Sequence, residues 1–344
     1  MIQQHGGNIE QLENVLDFSA NINPLGMPES VKKAITASIP DIEKYPDPYC
    51  TELIRKISAK EKISEESIVC GNGADDLIFR IVHAIKPKKA LVCAPSFTEY
   101  SRALAEVGCE TTEYQLSCDN GFELTEEFAS RPDSSYDICF VCTPNNPTGL
   151  LTAPEVLHKL SDKCRENGVI LVCDECFLDF VRNGAEYSMR KFINETTVIL
   201  KAFTKIYAVP SIRLGYAVFG STELADRVRD SGQFWSVSSI AQSAGIAALE
   251  EKGYLERTAG YVADERSFLL GELADMGVNA YESAANFILF RSRTNLAEML
   301  LAQNILIRDC SGFSGLTEGY YRIAVRTHEE NILLTEALRR CLNG

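Results

Sequence analysis

The chain has 344 residues, 45 % hydrophobic and 24 % charged, which suffices for a substantial core in one large or two moderate domains. With 34 basic against 48 acidic residues the formal charge is −14, which argues against a nucleic-acid or anionic-membrane surface. No apolar stretch approaches the roughly 18 uncharged residues of a membrane span, and the opening Met1 to Asn8 has no basic start or apolar segment, so a cytoplasmic location is expected.

Residues 1–28 read as an irregular arm, and Asp17-Phe18-Ser19-Ala20-Asn21-Ile22-Asn23-Pro24-Leu25-Gly26 is dense in turn formers. A helix is predicted over 28–37, followed by the proline-rich Lys44-Tyr45-Pro46-Asp47-Pro48. Helix 51–61 then precedes strand 67–70 and the glycine turn Gly71-Asn72-Gly73. Helix 75–85 precedes strand 90–94, and helix 100–107 leads through an extended segment to strand 138–142. Helix 153–167, strand 169–173 and strand 197–201 follow. Short apolar, β-branched runs alternating with amphipathic helices predict an α/β fold with a mostly parallel sheet covered on both faces. After residue 232 the texture changes: helices 240–251 and 258–276 precede shorter strands at 287–290 and 321–325. The expected division is an arm (1–28), a large domain (29–232) and a smaller α+β domain (233–344).

Twelve cysteines include the pairs Cys139/Cys142 and Cys173/Cys176. Residues three apart on a strand face opposite ways, so the first pair cannot chelate an ion together. The histidines, at 5, 83, 158 and 328, are scattered, and reduced thiols without a metal are expected.

Ligands of an open parallel sheet sit beyond the carboxyl ends of its strands. Strand 67–70 is followed by Gly71-Asn72-Gly73-Ala74-Asp75, whose glycines let backbone N–H groups approach an anion at a helix start, although a plain capped turn reads the same way. Strand 138–142 is followed by Thr143-Pro144-Asn145-Asn146-Pro147-Thr148-Gly149, also readable as a simple turn. Strand 169–173 delivers Asp174, a carboxylate at a buried end that asks for a cation. Strand 197–201 delivers Thr204 and Lys205, an amine able to attack a carbonyl, with Arg213 eight residues on. An anion cradle, an amide, a carboxylate and an amine match the phosphate, phenolic oxygen, protonated ring nitrogen and aldehyde of pyridoxal phosphate.

That order of motifs resembles the fold-type I pyridoxal-phosphate enzymes of the aminotransferase class I/II group. The resemblance implies that Lys205 carries the cofactor covalently, Asp174 pairs with its ring nitrogen and Asn146 with its phenolic oxygen. Ala74, Asp75, Thr204 and Arg213 would hold its phosphate, Phe97 would stack on the ring, and Tyr45 would reach the cofactor phosphate of a second subunit in a homodimer with shared active sites. Within the group, His5-Gly6-Gly7-Asn8, the Asp17 to Gly26 block, Ile307-Arg308-Asp309-Cys310 and Tyr321 to Arg326 resemble the threonine-phosphate decarboxylases of cobalamin biosynthesis, relatives of histidinol-phosphate aminotransferases. By that resemblance Arg322 would bind the carboxylate of a phosphorylated amino acid, and His5, Asn21 and Arg308 its phosphate. Phe177 and Ala202 depart from the group, which often carries hydroxyls there.

Taken singly, most of these positions have plainer readings: His5 an exposed residue near a terminus, Asn21 a turn residue, Phe97 core, and Arg322 and Arg326 surface cations. An aminotransferase acting on histidinol phosphate or an aromatic amino acid would use the same residues and break the Cα–H bond instead. A non-catalytic regulator retaining the fold is the third reading, and the chain has no spare length for an appended DNA-binding module.

Overall fold

In the computed structural model, which describes residues 6–7, 12, 14–292 and 295–343, the arm carries one short strand, β1 (Leu16–Asp17). Helices α1 (Glu29–Ser38) and α2 (Thr51–Glu61) lead to β2 (Ile68–Gly71). Next come α3 (Gly73–Ile85), β3 (Lys89–Ala94), α4 (Glu99–Glu106) and β4 (Glu110–Gln115). A one-turn α5 (Glu126–Ala129) precedes β5 (Ile138–Cys142), α6 (Pro154–Asn167), β6 (Ile170–Asp174) and β7 (Thr197–Ala202). The short α7 (Phe203–Ile206), β8 (Gly215–Phe219) and α8 (Thr222–Asp230) follow directly.

These strands form a seven-stranded sheet in the order β2-β8-β7-β6-β5-β3-β4. All neighbours pair in parallel except that β8 runs against both β2 and β7. Six strands therefore end at one rim, and the reversed β8 begins there.

The continuous apolar runs are explained by burial on both faces, with side chains alternating at period two. Ile138, Phe140 and Cys142 of β5, with Val172 of β6 and Leu200 of β7, pack under α3, α4 and α8. Cys139, Val141, Leu171, Cys173 and Ile199 face the other way, toward α2, α6 and α9 (Ser239–Glu250). Cys139 and Cys142 thus lie on opposite faces, as the strand reading requires.

Beyond α9 lie α10 (Tyr254–Asp275), β9 (Asn279–Ala280), β10 (Phe287–Arg291) and α11 (Leu296–Leu301). The chain closes with β11 (Ile305–Leu306), β12 (Arg308–Asp309), β13 (Tyr320–Ala324) and α12 (His328–Asn343). β12-β13-β10-β9 make an antiparallel sheet, and β1 pairs in parallel with β11, tying the arm to this C-terminal region. Phe18 amide and carbonyl bond Leu306 and Ala324, and Arg326 donates to the Asp17 carbonyl at 2.8 Å.

Four substantial elements have no counterpart in the sequence-based expectation. β4 is a half-exposed edge rich in Thr and Glu, so no apolar run marks it. β8 is five fully buried residues opening on glycine, a run too short to separate from the preceding turn. Helices α8 and α12 carry charge-rich outer faces, and α10 begins at Tyr254, ahead of the predicted 258.

Candidate active site

The rim of the large sheet opens into a cleft of about 800 Å³ closed on its far side by β12 and β13. It collects Ala74 and Asp75 after β2, Phe97 after β3, Asn146 after β5, Asp174 at the end of β6, and Thr204 and Lys205 after β7. Arg213 joins them because β8 runs backwards and starts at the same rim.

Lys205 sits on the single turn of α7, its Nζ 5.5 Å from the centre of the Phe177 ring. Among the described residues no carboxylate pairs with it. Asp174 is 5 % exposed and held by two neutral donors: Tyr100 Oη donates to Oδ2 at 2.7 Å and the Cys176 amide to Oδ1 at 2.9 Å. No lysine, arginine or histidine among the described residues forms an ion pair with it. A buried carboxylate without a cation is costly, so the site is built for a positive group that the described residues do not supply.

Gly73 opens α3 at φ +86°, and a Cβ there would meet Arg213 Nη2 at 2.7 Å. Glycine lets the guanidinium lie against the helix start, where N–H groups and helix dipole favour an anion. Thr204 Oγ1, buried beside them, has no hydrogen-bond partner among the described residues.

Asn146, 8 % exposed, accepts at Oδ1 from Arg322 Nη1. A guanidinium only donates, so the atom facing it is the amide oxygen, and Nδ2 remains a donor toward the cleft. Arg322 Nη2 donates to the Ser19 carbonyl at 2.9 Å, its Nε has no partner among the described residues, and the Phe287 ring lies 5.3 Å away. Burial, with the Arg308 charge adding, brings Arg322 down to about 10. Arg308 is directly opposite Arg322 across β12 and β13, 4 % exposed and also lowered by burial. Two buried guanidiniums side by side give this end of the cleft a positive field that favours an anion. Asn21, 7 % exposed, leaves Oδ1 without a partner among the described residues at the same end of the cleft.

Most residues singled out in the sequence therefore converge. Tyr45 does not: it is 79 % exposed, stacked on Trp235 with centroids 4.4 Å apart, and absent from the cleft wall. His5 lies outside the described residues. Arg322 is not the surface cation that a lone strand arginine suggests but is buried, and Arg326 lies beyond β13, paired with Glu330 at 2.7 Å. Tyr100 is a cleft-side contact that sequence reasoning missed, because an aromatic on an amphipathic helix reads as core. Its only signal is its place one turn after Phe97.

Residues 13–338 match the family model described as aminotransferase class I and II. The chain belongs to that family. It is 36 % identical to the threonine-phosphate decarboxylase of Salmonella typhimurium, over 99 % of this chain and 97 % of that protein. It is 34 % identical to an adenosylcobalamin biosynthesis bifunctional protein of Leptospira interrogans, matching all of this chain but 41 % of that one. A solved histidinol-phosphate aminotransferase from Clostridium acetobutylicum superposes with TM-score 0.90 at 28 % identity, over 96 % and 99 % of the two chains. The cofactor of this class I and II member is pyridoxal 5′-phosphate, and the fold is that of its fold-type I enzymes. The residues present fit that group: among the described residues Asp174 lacks a cation and Thr204 Oγ1 a partner, and the Gly73–Arg213 approach makes an anion cradle. Among the described residues no group of three or more His, Cys, Asp or Glu could hold a metal ion, and no helix is long and apolar enough to cross a membrane.

Proposed function

We propose that this chain is a pyridoxal-phosphate-dependent decarboxylase that converts L-threonine O-3-phosphate into (R)-1-amino-2-propanol O-phosphate and CO2 for corrinoid assembly. The observation that carries the reading is the buried pair Arg308 and Arg322, two cations facing a cleft that already contains Lys205 and Asp174. A phosphorylated amino acid brings two anions to them, a carboxylate and a phosphate, whereas histidinol phosphate brings only one. The whole-length likeness to a threonine-phosphate decarboxylase supports the same choice.

When bound, the cofactor supplies an electron sink for the pair left on Cα as a bond to it breaks. Lys205 Nζ would be the amine that anchors it and, as an ammonium when not so engaged, would deliver a proton to Cα after CO2 leaves, a delivery that a water could also make. Asp174 stabilises positive charge at the ring nitrogen, and Asn146 Nδ2 donates to the phenolic oxygen. Phe177, 5 % exposed, adds no hydroxyl there, which leaves Asn146 as the main partner. Ala74, Asp75, Thr204 and Arg213 take the cofactor phosphate, and Phe97 covers the ring. Arg322 holds the substrate carboxylate, and Arg308, Asn21 and His5 take its phosphate. Two anchors at opposite ends of a short substrate would fix which Cα bond is poised to break, and a decarboxylase requires that bond to be the one to the carboxylate.

Tyr45 belongs to the assembly. With Tyr49, Phe234 and Trp235, all about half exposed or more, it forms an aromatic patch, which we assign to a homodimer contact that delivers Tyr45 to the second subunit's cofactor phosphate. All twelve cysteines are free, which supports a reducing, cytoplasmic setting. We also retain the division into arm 1–28, large domain 29–232 and small domain 233–344.

The test is to supply the loaded protein with L-threonine O-3-phosphate. Stoichiometric CO2 with no 2-oxo acid formed is the expected result. Turnover that requires 2-oxoglutarate and yields glutamate would replace this reading with an aminotransferase, the activity named for the solved relative from Clostridium acetobutylicum.

A further inference from the structure

Tyr100 is 1 % exposed, and its hydroxyl donates to Asp174 Oδ2 at 2.7 Å. Its ring is clamped, stacked on Phe140 with centroids 4.9 Å apart and planes 16° apart, and edge-on to Phe97 at 5.6 Å. The other carboxylate oxygen, Oδ1, accepts from the Cys176 amide at 2.9 Å. Each oxygen of Asp174 is thus anchored by a different element, α4 on one side and the turn after β6 on the other. A buried phenol needs some acceptor, and any backbone carbonyl would satisfy it. This one is aimed instead at the carboxylate that lacks a cation.

Resting on the reading of Asp174 as the partner of the ring nitrogen, we propose that Tyr100 is a positioning residue for the cofactor, whose hydroxyl aims the Asp174 carboxylate and biases the shared proton toward the ring nitrogen. A hydroxyl donor stabilises the charged form of a carboxylate, which then competes less for that proton. The phenol keeps its own proton throughout: burial, reinforced by the Asp174 charge, raises its pKa well above the usual range. The other titratable groups facing this spot are the Cys142 thiol on β5, the Cys173 thiol on β6, Cys176 after β6, and Lys205 on α7. Burial pushes all three thiols up, so they stay neutral and leave the Asp174–ring pair as the local charge.

Tyr100→Phe keeps the ring stack and removes only the donor. Apo-protein is titrated with pyridoxal phosphate and with its 1-deaza analogue, in which carbon replaces the ring nitrogen. The variant is expected to bind pyridoxal phosphate about tenfold more weakly, a factor worth about 1.4 kcal/mol, and to bind the analogue like the wild type. The bound cofactor's pH-dependent absorbance change should also move to higher pH, because a ring nitrogen that holds less of the shared proton leaves the conjugated imine more basic. Equal weakening for both ligands, or no change for either, would overturn the inference and leave Tyr100 a packing residue. Asp174→Asn separates the two layers: if it also binds both ligands like the wild type, the reading of Asp174 itself fails. Should Tyr100→Phe not fold, 3-fluorotyrosine at position 100 offers a stronger donor of nearly the same shape. Pyridoxal phosphate should then bind a fewfold more tightly with the analogue unaffected, and unchanged or weaker binding sinks the idea.

Discussion

Asp174 and Glu175 are adjacent, and so nearly are their two lysines, Lys205 and Lys201, yet the pairs are built in opposite ways. Glu175, 1 % exposed, accepts from Ser188 Oγ at 3.0 and 2.9 Å and from the Met189 amide at 2.7 Å, and lies 3.3 Å from Lys201 Nζ. Asp179 completes that group, 3.6 Å from the same ammonium. Asp174 receives two neutral donors and no cation, while Lys205 meets an aromatic ring and no carboxylate among the described residues. One set of buried charges is finished inside the chain and the other is left open in the cleft. Completed charge holds the fold together, and open charge marks where a cofactor and substrate complete it.

Exchanging the two lysines' fates breaks this contrast most sharply. Lys205→Ala should cost at least about 10⁴-fold in decarboxylation rate while leaving the thermal midpoint of the apo-protein within a few degrees, as steady-state kinetics and calorimetry would record. A variant that kept measurable turnover would mean that the open amine lies elsewhere.

Lys201→Met should do the reverse, destabilising the protein by about 3–5 kcal/mol in denaturant titration because Glu175 and Asp179 lose their cation. Burial raises Glu175, with Lys201 partly offsetting it. Burial also works against Asp179, but there the Lys201 charge prevails and holds the carboxyl below its usual range. The depressed Asp179 adds stability above its unfolded value and loses it as pH falls through the folded one, whereas the raised Glu175 costs stability as pH climbs past its unfolded value. Without Lys201 neither charge is compensated. The gap between wild type and Lys201→Met should therefore be widest near neutrality and narrow as pH falls through the acid range, first as the raised Glu175 and then as the depressed Asp179 takes up a proton. A gap independent of pH would show that lost packing, not lost charge, is responsible.

Arg322→Lys tests the substrate side of the open set. A point charge cannot reproduce contacts to Asn146, Ser19 and a carboxylate together, so KM for threonine phosphate should rise about 10–100-fold. An unchanged KM would move the carboxylate to Arg308. Smallest is Phe177→Tyr, which returns a hydroxyl to the cleft wall and should lower, by well under one pH unit, the pH at which the bound cofactor's absorbance changes.

The parts readable from sequence are those whose physics is local. Strands β5, β6 and β7 are uninterrupted apolar runs, so the hydropathy pattern alone places Asn146, Asp174 and Lys205 at strand ends. β1, β11 and β12 span two residues each and exist only through tertiary pairing, so Arg308 and Arg322 are visible in the sequence through resemblance alone, without their face-to-face register. Tyr100 shows the same limit from the other side. Its helix position is that of a core aromatic, and only the fold turns its hydroxyl onto Asp174.

The most direct measurement is borohydride reduction of the pyridoxal-phosphate-loaded protein, followed by peptide mapping with fragmentation that resolves the two lysines. A pyridoxyl group on Lys205, with Lys201 unmodified, is the predicted result. Label on Lys201, on another lysine, or on none would contradict the assignment of Lys205 as the open amine.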